Sequence, residues 1–264
     1  MLFVREYGRS GPPVIVLHGG PGAPGQMAPV ARGLAASYHV VEPFQRGSGA
    51  ERLTVARHVA DLHEVISFYA AGSRPALLGS SWGAMLALAY AAAYPDSTGP
   101  LILVGCGTFD LVARSAMRKA IAERTDDGVR ARLKYSDQLA DADERLRAFA
   151  EATASIYSYD PVTIPRDEEK VDARAQRETW DDMLRLQAEG IYPAAFATIK
   201  VPVLMVHGLF DPHPGRMILE SLKPHLSQLE YRELDRCGHY PWLEKAATDS
   251  FFFLLREWLG RHLN

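Results

Sequence analysis

Five short runs of apolar residues recur along the chain, separated by polar and turn-forming segments. They lie at residues 14–17, 38–41, 76–78, 101–104 and 203–206. Their apolarity is continuous and does not alternate, which is typical of strands covered on both faces. Helical patterns lie between them, and the last helical pattern has its apolar residues three and four positions apart, at Phe251, Leu254, Leu255, Trp258 and Leu259. The pattern therefore predicts an α/β fold with a mostly parallel sheet and helices on both faces.

The stretch 107–200 interrupts this alternation. It has few strand-like runs, many charges and amphipathic helical segments such as 133–159 and 174–188. Because two core strands flank it, we expect a helical cap over the carboxyl ends of the strands, where such sheets gather functional groups. The alternative is a set of helices packed to one side. The predicted division is a core of residues 1–106 and 201–264 and a cap of residues 107–200.

The composition is that of a globular protein and excludes several function classes. Of the 264 residues, 47% are apolar and 23% are charged. The formal net charge is -3 and no dense basic run occurs, so nucleic acid is not an expected partner. Two cysteines, Cys106 and Cys237, are too few for a disulfide framework or a thiolate metal site and fit a reducing compartment. The charged first residues do not resemble a signal peptide, so a cytoplasmic location is expected.

Several local features could suggest other functions. No residue between Pro75 and Pro95 is charged, over about the length of a bilayer span. Glycines and serines at its centre instead predict a strand, a tight turn and a helix, so no membrane is expected. The acidic run 167–169 is interpreted as a solvated loop or helix start. No H-E-x-x-H, paired C-x-x-C or P-loop occurs, so neither a metal nor a cofactor is expected.

The segment 79–83, with the sequence GSSWG, fits the G-x-S-x-G pattern between a predicted strand and an apolar helix. A nucleophile that turns sharply from strand into helix adopts strained dihedrals, so the residues two positions away on either side must be small. Ser81 would then project its hydroxyl above the sheet, where free N–H groups of the helix start favour an oxyanion. We predict that Ser81 is a nucleophile. The alternative is a structural turn with an inert serine.

The segment 18–22, with the sequence HGGPG, follows the first apolar run. Its glycines allow the backbone to bend close to the nucleophile while an N–H group points inward. We predict that the N–H groups of Gly20 and Trp82 form an oxyanion hole. His18 is expected to brace the turn by hydrogen bonds, and its use as a base is the alternative.

A serine nucleophile needs a base, and the base needs an orienting acid. Asp211 follows the last of the five apolar runs, and His239 lies just beyond a further predicted strand. The chain order of Ser81, Asp211 and His239 is the order expected of this type of site. His213 remains an alternative base and Asp235 an alternative acid.

These motifs resemble those of the α/β-hydrolase family and, within it, of the proline iminopeptidases. The segment 18–22 is similar to that group's HGGPG oxyanion motif, the segment 45–49 to its DQRG-x-G turn, and the segment 79–83 to its nucleophile elbow. Phe44 stands where that turn has an Asp. The resemblance implies an α/β-hydrolase core with a cap insertion and the same serine, histidine and aspartate roles.

The expected function is that of a cofactor-independent serine hydrolase for a small molecule or short peptide, first of all an iminopeptidase-like aminopeptidase. A carboxylesterase or lactonase for a small apolar acyl compound is the alternative. A ligand-binding protein that retains the pocket without turnover is a hypothesis of another class. An aminopeptidase must hold a cationic amino terminus, which in a shielded pocket requires a carboxylate. Candidate carboxylates in the predicted cap are Asp160, Glu178, Asp181, Asp182 and Glu189.

Overall fold

The computed structural model describes residues 2–163 and 171–263, and a seven-stranded sheet forms the centre of this part of the chain. The strands are β1 (Val4–Tyr7), β2 (Pro13–Leu17), β3 (His39–Pro43), β4 (Ala76–Ser80), β5 (Leu101–Val104), β6 (Val203–Gly208) and β7 (Leu229–Leu234). Their order is β1-β3-β2-β4-β5-β6-β7. β1 pairs antiparallel with β3, and the other neighbours pair in parallel. The predicted fold class is confirmed.

Helices cover both faces of this sheet. They are α1 (Ala28–Leu34), α2 (Val55–Tyr69), α3 (Trp82–Ala93), α4 (Leu111–Arg124), α5 (Asp127–Asp137), α6 (Ala142–Tyr157), α7 (Ala173–Ala188), α8 (Gly215–Leu222) and α9 (Thr248–His262). Short 3-10 turns lie at Pro95–Ser97, Ala194–Thr198 and Pro241–Leu243. One face of the sheet packs against α2, α3 and α8, and the other packs against α1 and α9.

The continuous apolar runs arise because successive residues of the central strands enter different cores. In β4, Leu77 belongs to the core under α3, whereas Ala76 and Leu78 belong to the core under α9. A strand covered on both faces therefore has no polar side to show in its sequence. β1 lies at an edge of the sheet and alternates Val4 with Arg5, so the search for continuous runs does not detect it.

The uncharged segment 75–95 forms β4 followed by α3, as predicted. Within residues 2–163 and 171–263, every helix lacks the combination of length and apolarity that crossing a bilayer requires.

Between β5 and β6 the described chain forms α4 to α7, called the inserted helices below, and one 3-10 turn. The predicted helical segment 133–159 is wrong as a single helix, because α5 ends at Asp137 and α6 begins after Asp141. The Asp141 carboxylate accepts the N–H groups of the first turn of α6, which starts a new helix there. The predicted segment 174–188 matches α7 to within one residue. The acidic run 167–169 lies outside the described residues, and the core and cap boundaries stay predictions.

The turn from β4 into α3 depends on two glycines. A Cβ atom on Gly79 would lie 2.1 Å from the carbonyl oxygen of Gly83, and one on Gly83 would lie 2.2 Å from the carbonyl oxygen of Leu17. Both distances are far below a normal contact, and both obstacles are backbone atoms that cannot rotate away. The first turn of α3 can therefore lie against β2 only because these two residues have no side chains.

We predict that Gly83→Ala lowers the free energy of unfolding by about 3 kcal/mol, since the new methyl group displaces backbone in a packed core. Gly260→Ala is the matched control, because Gly260 is a helical glycine with no atom near the added methyl group. This control should be neutral or stabilising by up to about 1 kcal/mol. Urea denaturation measures both variants, and equal midpoints would contradict the prediction.

Candidate active site

Ser81 lies between β4 and α3 with the backbone angles expected of a strained elbow. Its φ is 53° and its ψ is -116°, in a region that residues with a side chain rarely occupy. Its N–H group donates to the carbonyl oxygen of Val104 at 2.8 Å, which fixes the turn to the end of β5. Ser80 and Trp82 are buried, whereas Ser81 is half-buried. Of these three residues, Ser81 is thus both the one with strained backbone angles and the one that is accessible.

The loop of residues 18–22 passes close to Ser81. A Cβ atom on Gly19 would lie 3.1 Å from the Cβ atom of Ser81. The N–H group of Gly19 is already engaged, since it donates to Oε1 of Gln26 at 3.0 Å. Within the described residues the N–H groups of Gly20 and Trp82 form no hydrogen bond. These are the two groups that the sequence predicts as oxyanion donors.

His18 braces this loop, as expected. Its Nδ1 lies 2.9 Å from the carbonyl oxygen of Gly19, and its Nε2 lies 3.1 Å from the backbone nitrogen of Gln45. These partners assign the proton to Nδ1, because a carbonyl oxygen can only accept and an N–H group can only donate. Burial lowers the pKa of His18 to about 4. Both ring nitrogens are occupied, so the alternative of His18 as base has no support in this geometry.

Gln45 connects the loop to the elbow. Its amide nitrogen donates to the carbonyl oxygen of His18 at 2.9 Å, and its Oε1 accepts the indole N–H of Trp82 at 2.7 Å. One side chain thus ties together two of the three segments that carry the sequence motifs.

Asp211 and His239 are in direct contact. Nδ1 of His239 lies 2.7 Å from Oδ2 of Asp211, and both side chains are buried. A Cβ atom on Gly105 would lie 2.8 Å from the imidazole, so the end of β5 admits the ring only because residue 105 is glycine. Ser81 reaches the same strand end through its bond to Val104. The described structure records no hydrogen bond from Ser81 to either residue.

Burial and charge act in opposite directions on this pair. Burial alone would raise the pKa of Asp211, but His239 and His213 hold it well below its usual range. Burial lowers the pKa of His239, with His213 acting in the same direction and Asp211 against it. At neutral pH the acid is therefore ionised and the imidazole of His239 is neutral, which is the state in which it can accept a proton.

His213 is also bonded to Asp211, whereas Asp235 is exposed. Ligand atoms of Asp211, His213 and His239 lie within 4.8 Å of one another, and this is the metal-type cluster found among residues 2–163 and 171–263. Hydrogen bonds account for the proximity, because Nδ1 of each imidazole faces the carboxylate.

Two aromatic residues between β5 and β6 contact the site, and no sequence motif marks them. The indole N–H of Trp180 donates to the carbonyl oxygen of Gly20 at 3.2 Å, and its ring packs edge-on against Trp82. The Tyr157 ring packs edge-on against His239 at 5.5 Å between ring centres, and the backbone carbonyl oxygen of Tyr157 accepts the backbone N–H of His239 at 2.7 Å. An aromatic residue in an amphipathic helix gives no signal that separates such a role from core packing.

A sequence profile of the alpha/beta hydrolase family matches residues 14–249. The chain belongs to that family. The family match and the curated proline iminopeptidase relatives together identify the chain as a hydrolase close to the proline iminopeptidases.

One curated relative and two solved structures are similar to this chain. The proline iminopeptidase of Lactobacillus helveticus (strain DPC 4571) is 26% identical, over 95% of this chain and 90% of that protein. The crystal structure of a proline iminopeptidase from Mycobacterium smegmatis has a TM-score of 0.65 and 20% identity, over 98% of this chain and 94% of that one. A thermophilic esterase from Thermogutta terrifontis has a TM-score of 0.68 and 19% identity, over 100% of this chain and 94% of that one. The structural likenesses show the fold alone.

Glu244 anchors the loop that carries His239. Its buried carboxylate accepts N–H groups from Tyr159 at 2.8 Å, Asp160 at 2.7 Å and Gly238 at 3.0 Å. The first two belong to the segment after α6, and the third directly precedes His239. One buried carboxylate therefore joins the inserted helices of this hydrolase to its histidine loop, and no sequence motif marks it.

The five candidate amine-binding carboxylates all have partners inside the chain. Asp182 accepts the N–H of Val55 at 2.8 Å, and Glu178 accepts the N–H of Leu53 at 2.9 Å. The other three form ion pairs, Asp181 with Arg52, Glu189 with Arg185 and Asp160 with Lys245. Glu178 and Asp182 thus satisfy backbone donors at and just before the start of α2, which ties α7 to the core.

We predict that Glu244→Gln lowers the free energy of unfolding by about 2 to 3 kcal/mol, since three N–H groups, one of them buried, then share one neutral oxygen and face an amide donor. Glu123→Gln, in an exposed ion pair on α4, is the control and should change stability by less than about 0.5 kcal/mol. Urea denaturation at pH 7 measures both. Equal stability of the two variants would show that Glu244 does not hold the loop.

Proposed function

We propose that this hydrolase cleaves a small acyl substrate through a Ser81 nucleophile, a His239 base and an Asp211 acid. The contact of 2.7 Å between buried Asp211 and His239 carries the proposal. It fixes one ring nitrogen, Nδ1, as a donor to an ionised carboxylate and leaves Nε2 as the nitrogen that accepts a proton. The strained and accessible Ser81 at the neighbouring strand end supports the role of nucleophile.

The reaction proceeds in two halves. Oγ of Ser81 bonds to the carbonyl carbon while its proton passes to Nε2 of His239, and the N–H groups of Gly20 and Trp82 stabilise the oxyanion. The bond to the leaving amine or alcohol then breaks, and that group takes the proton from His239. Water attacks the acyl-enzyme in the same way, which releases the carboxylic acid and restores Ser81.

For the substrate we propose an amino-terminal residue of a short peptide, released as by a proline iminopeptidase. The support is the relative from Lactobacillus helveticus, which matches over nearly the whole chain, and the three motif segments 18–22, 45–49 and 79–83. Such a substrate brings a cationic amine into the pocket, and burial of that charge without a carboxylate partner costs several kcal/mol.

A second candidate, an ester or lactone with an uncharged acyl group, is favoured by the orientation of α7. Trp180 contacts the oxyanion loop, and the Cβ atom of Gln176 lies 3.9 Å from a Cβ atom built on Gly22. The carboxylates of Glu178 and Asp182 instead point to residues 53–55. The face of α7 toward the loop thus carries an amide and an indole at these positions, which suits an acyl group without charge.

Ser81→Ala should reduce turnover by about 10⁴-fold or more while the fold is kept, because the change removes one accessible hydroxyl and little packing. Ser80→Ala is a matched control one residue away, since the buried Ser80 hydroxyl has no hydrogen-bond partner in the described structure. The rate of fluorophosphonate labelling is measured for both variants by intact mass, and peptide mapping identifies the labelled residue. Labelling of Ser81→Ala at the parent rate would refute the proposal, and an unlabelled parent protein would favour a binding protein without turnover.

Acetylation of the substrate amine separates the two candidates. If a buried carboxylate holds the amine, acetylation of prolyl- or alanyl-arylamides should lower kcat/KM by at least about 10²-fold. The comparison uses free and acetylated forms of each arylamide beside p-nitrophenyl acetate. Equal rates on both arylamide forms, with faster hydrolysis of the ester, would reject the aminopeptidase and support the esterase or lactonase.

A further inference from the structure

A second histidine shares the carboxylate of the proposed acid. Oδ2 of Asp211 bonds to His239, while Oδ1 lies 2.9 Å from the backbone nitrogen of His213 and 3.0 Å from its Nδ1. Because an ionised carboxylate only accepts, the Nδ1 atoms of both imidazoles carry protons in this network. Each oxygen of Asp211 is therefore committed to one histidine, and rotation of the carboxylate would break bonds on both sides.

The backbone around His213 is stiff. Pro212 and Pro214 flank it, and α8 begins at Gly215. Two prolines restrict φ on both sides of the histidine, so few conformations compete with the one observed. The backbone position of His213 is thus set by its own segment.

The two imidazoles are stacked. Their ring centres are 4.5 Å apart with an interplanar angle of 19°. Tyr157 packs against His239 at 5.5 Å and against His213 at 6.0 Å, and Tyr240 packs edge-on against His239 at 4.7 Å. The plane of His239 is therefore fixed by one stacked ring and two tyrosine rings, in addition to its bond to Asp211.

We propose that His213 is a positioning residue for the reaction, which holds the Asp211 carboxylate by Oδ1 and the His239 ring by stacking. The inference rests on the proposed roles of Ser81, His239 and Asp211. His213 takes no proton from the substrate in this scheme. It holds the His239 ring, and with it Nε2, in one orientation and sets the electrostatic surroundings in which that nitrogen titrates.

The electrostatic effect has a definite sign. Burial lowers the pKa of His239, His213 lowers it further, and Asp211 raises it. Removal of the His213 imidazole therefore raises the pKa of His239, and the acid limb of the rate profile moves to higher pH. The other titratable or charged groups around this cluster all remain in the variants; among the described residues they are His207, Tyr157, Tyr231, Tyr240, Cys237 and Arg124.

The test measures the second-order rate of Ser81 labelling by a fluorophosphonate between pH 5 and 9, which needs no knowledge of the natural substrate. In this reaction Oγ bonds to phosphorus, fluoride leaves and the serine proton passes to His239. His213→Ala should lower the plateau rate by about 10-fold, the worth of one charge-assisted hydrogen bond. His213→Asn keeps a donor near the position of Nδ1 and should recover the plateau to within about 3-fold of the parent.

His213→Phe keeps a stacking ring without the donor, and in all three variants the acid limb should move to higher pH. His225→Ala, a partly exposed histidine after α8, is the control and should change neither plateau nor limb. If His213→Ala does not fold, the Asn and Phe variants carry the test. A purely structural role would lower the melting temperature without moving the limb. Variants with the parent plateau and limb refute the positioning role alone, whereas a label mapped away from Ser81 refutes the proposed function as well.

Discussion

The close approach of α3 to β2 is the constraint on which the site depends. The carbonyl oxygen of Leu17 lies where a side chain of residue 83 would begin, so the helix can dock there only through glycine. This contact leaves Ser81 no room to relax its backbone, which is held at a φ of 53°. The same contact brings the loop after β2 beside the helix start, where the N–H groups of Gly20 and Trp82 are free of other partners in the described structure. Packing thus produces together the strained turn at Ser81 and the two N–H groups that the proposed mechanism uses.

Three carboxylates, two buried and one partly buried, perform a second task, which is to fix the inserted helices to the core. Glu244 accepts three N–H groups across the boundary to the histidine loop, and Asp182 and Glu178 accept backbone donors near the start of α2. In each case the donors are backbone N–H groups that would otherwise lack a hydrogen-bond acceptor in the chain. The carboxylate therefore has a structural role. These polar contacts at defined points add to the apolar packing of residues such as Met183 against the core, and Trp180 and Tyr157 contact the site.

Much of this arrangement is predictable from sequence because its signals are local. The five apolar runs gave five of the strands, and the segment 79–83 predicted the strained turn from the spacing of two glycines around Ser81. The chain order of Asp211 and His239 predicted residues that prove to be 2.7 Å apart. These successes share a cause, since each motif lies at the end of a parallel strand and parallel strands end at one edge.

The remaining parts were not predictable because their meaning comes from residues distant in sequence. Nothing in the local sequence distinguishes Glu244 from a surface glutamate. Its burial follows from contact with residues 159–160, about 85 positions earlier. The carboxylates of α7 appeared available for an amine because helical sequence shows which residues are acidic but not which neighbour each face meets. β1 was missed because an edge strand is paired on one side and tolerates charge.

The division between core and inserted helices also explains why sequence motifs indicate the reaction class more directly than the substrate class. The proposed carbonyl chemistry needs atoms that the core supplies at the strand ends, and short sequence motifs identify the residues that carry them. In the proposed reaction, α6 and α7 face the part of the substrate remote from the scissile bond, and their side chains near the site, such as Gln176, Trp180 and Tyr157, follow no fixed sequence spacing. Since Glu178 and Asp182 are bound to the backbone of residues 53–55, an amine could recruit them only by breaking the contacts that hold α7 in place. Capture of a cationic substrate and attachment of α7 would therefore compete for the same carboxylates, and an uncharged acyl group avoids that competition.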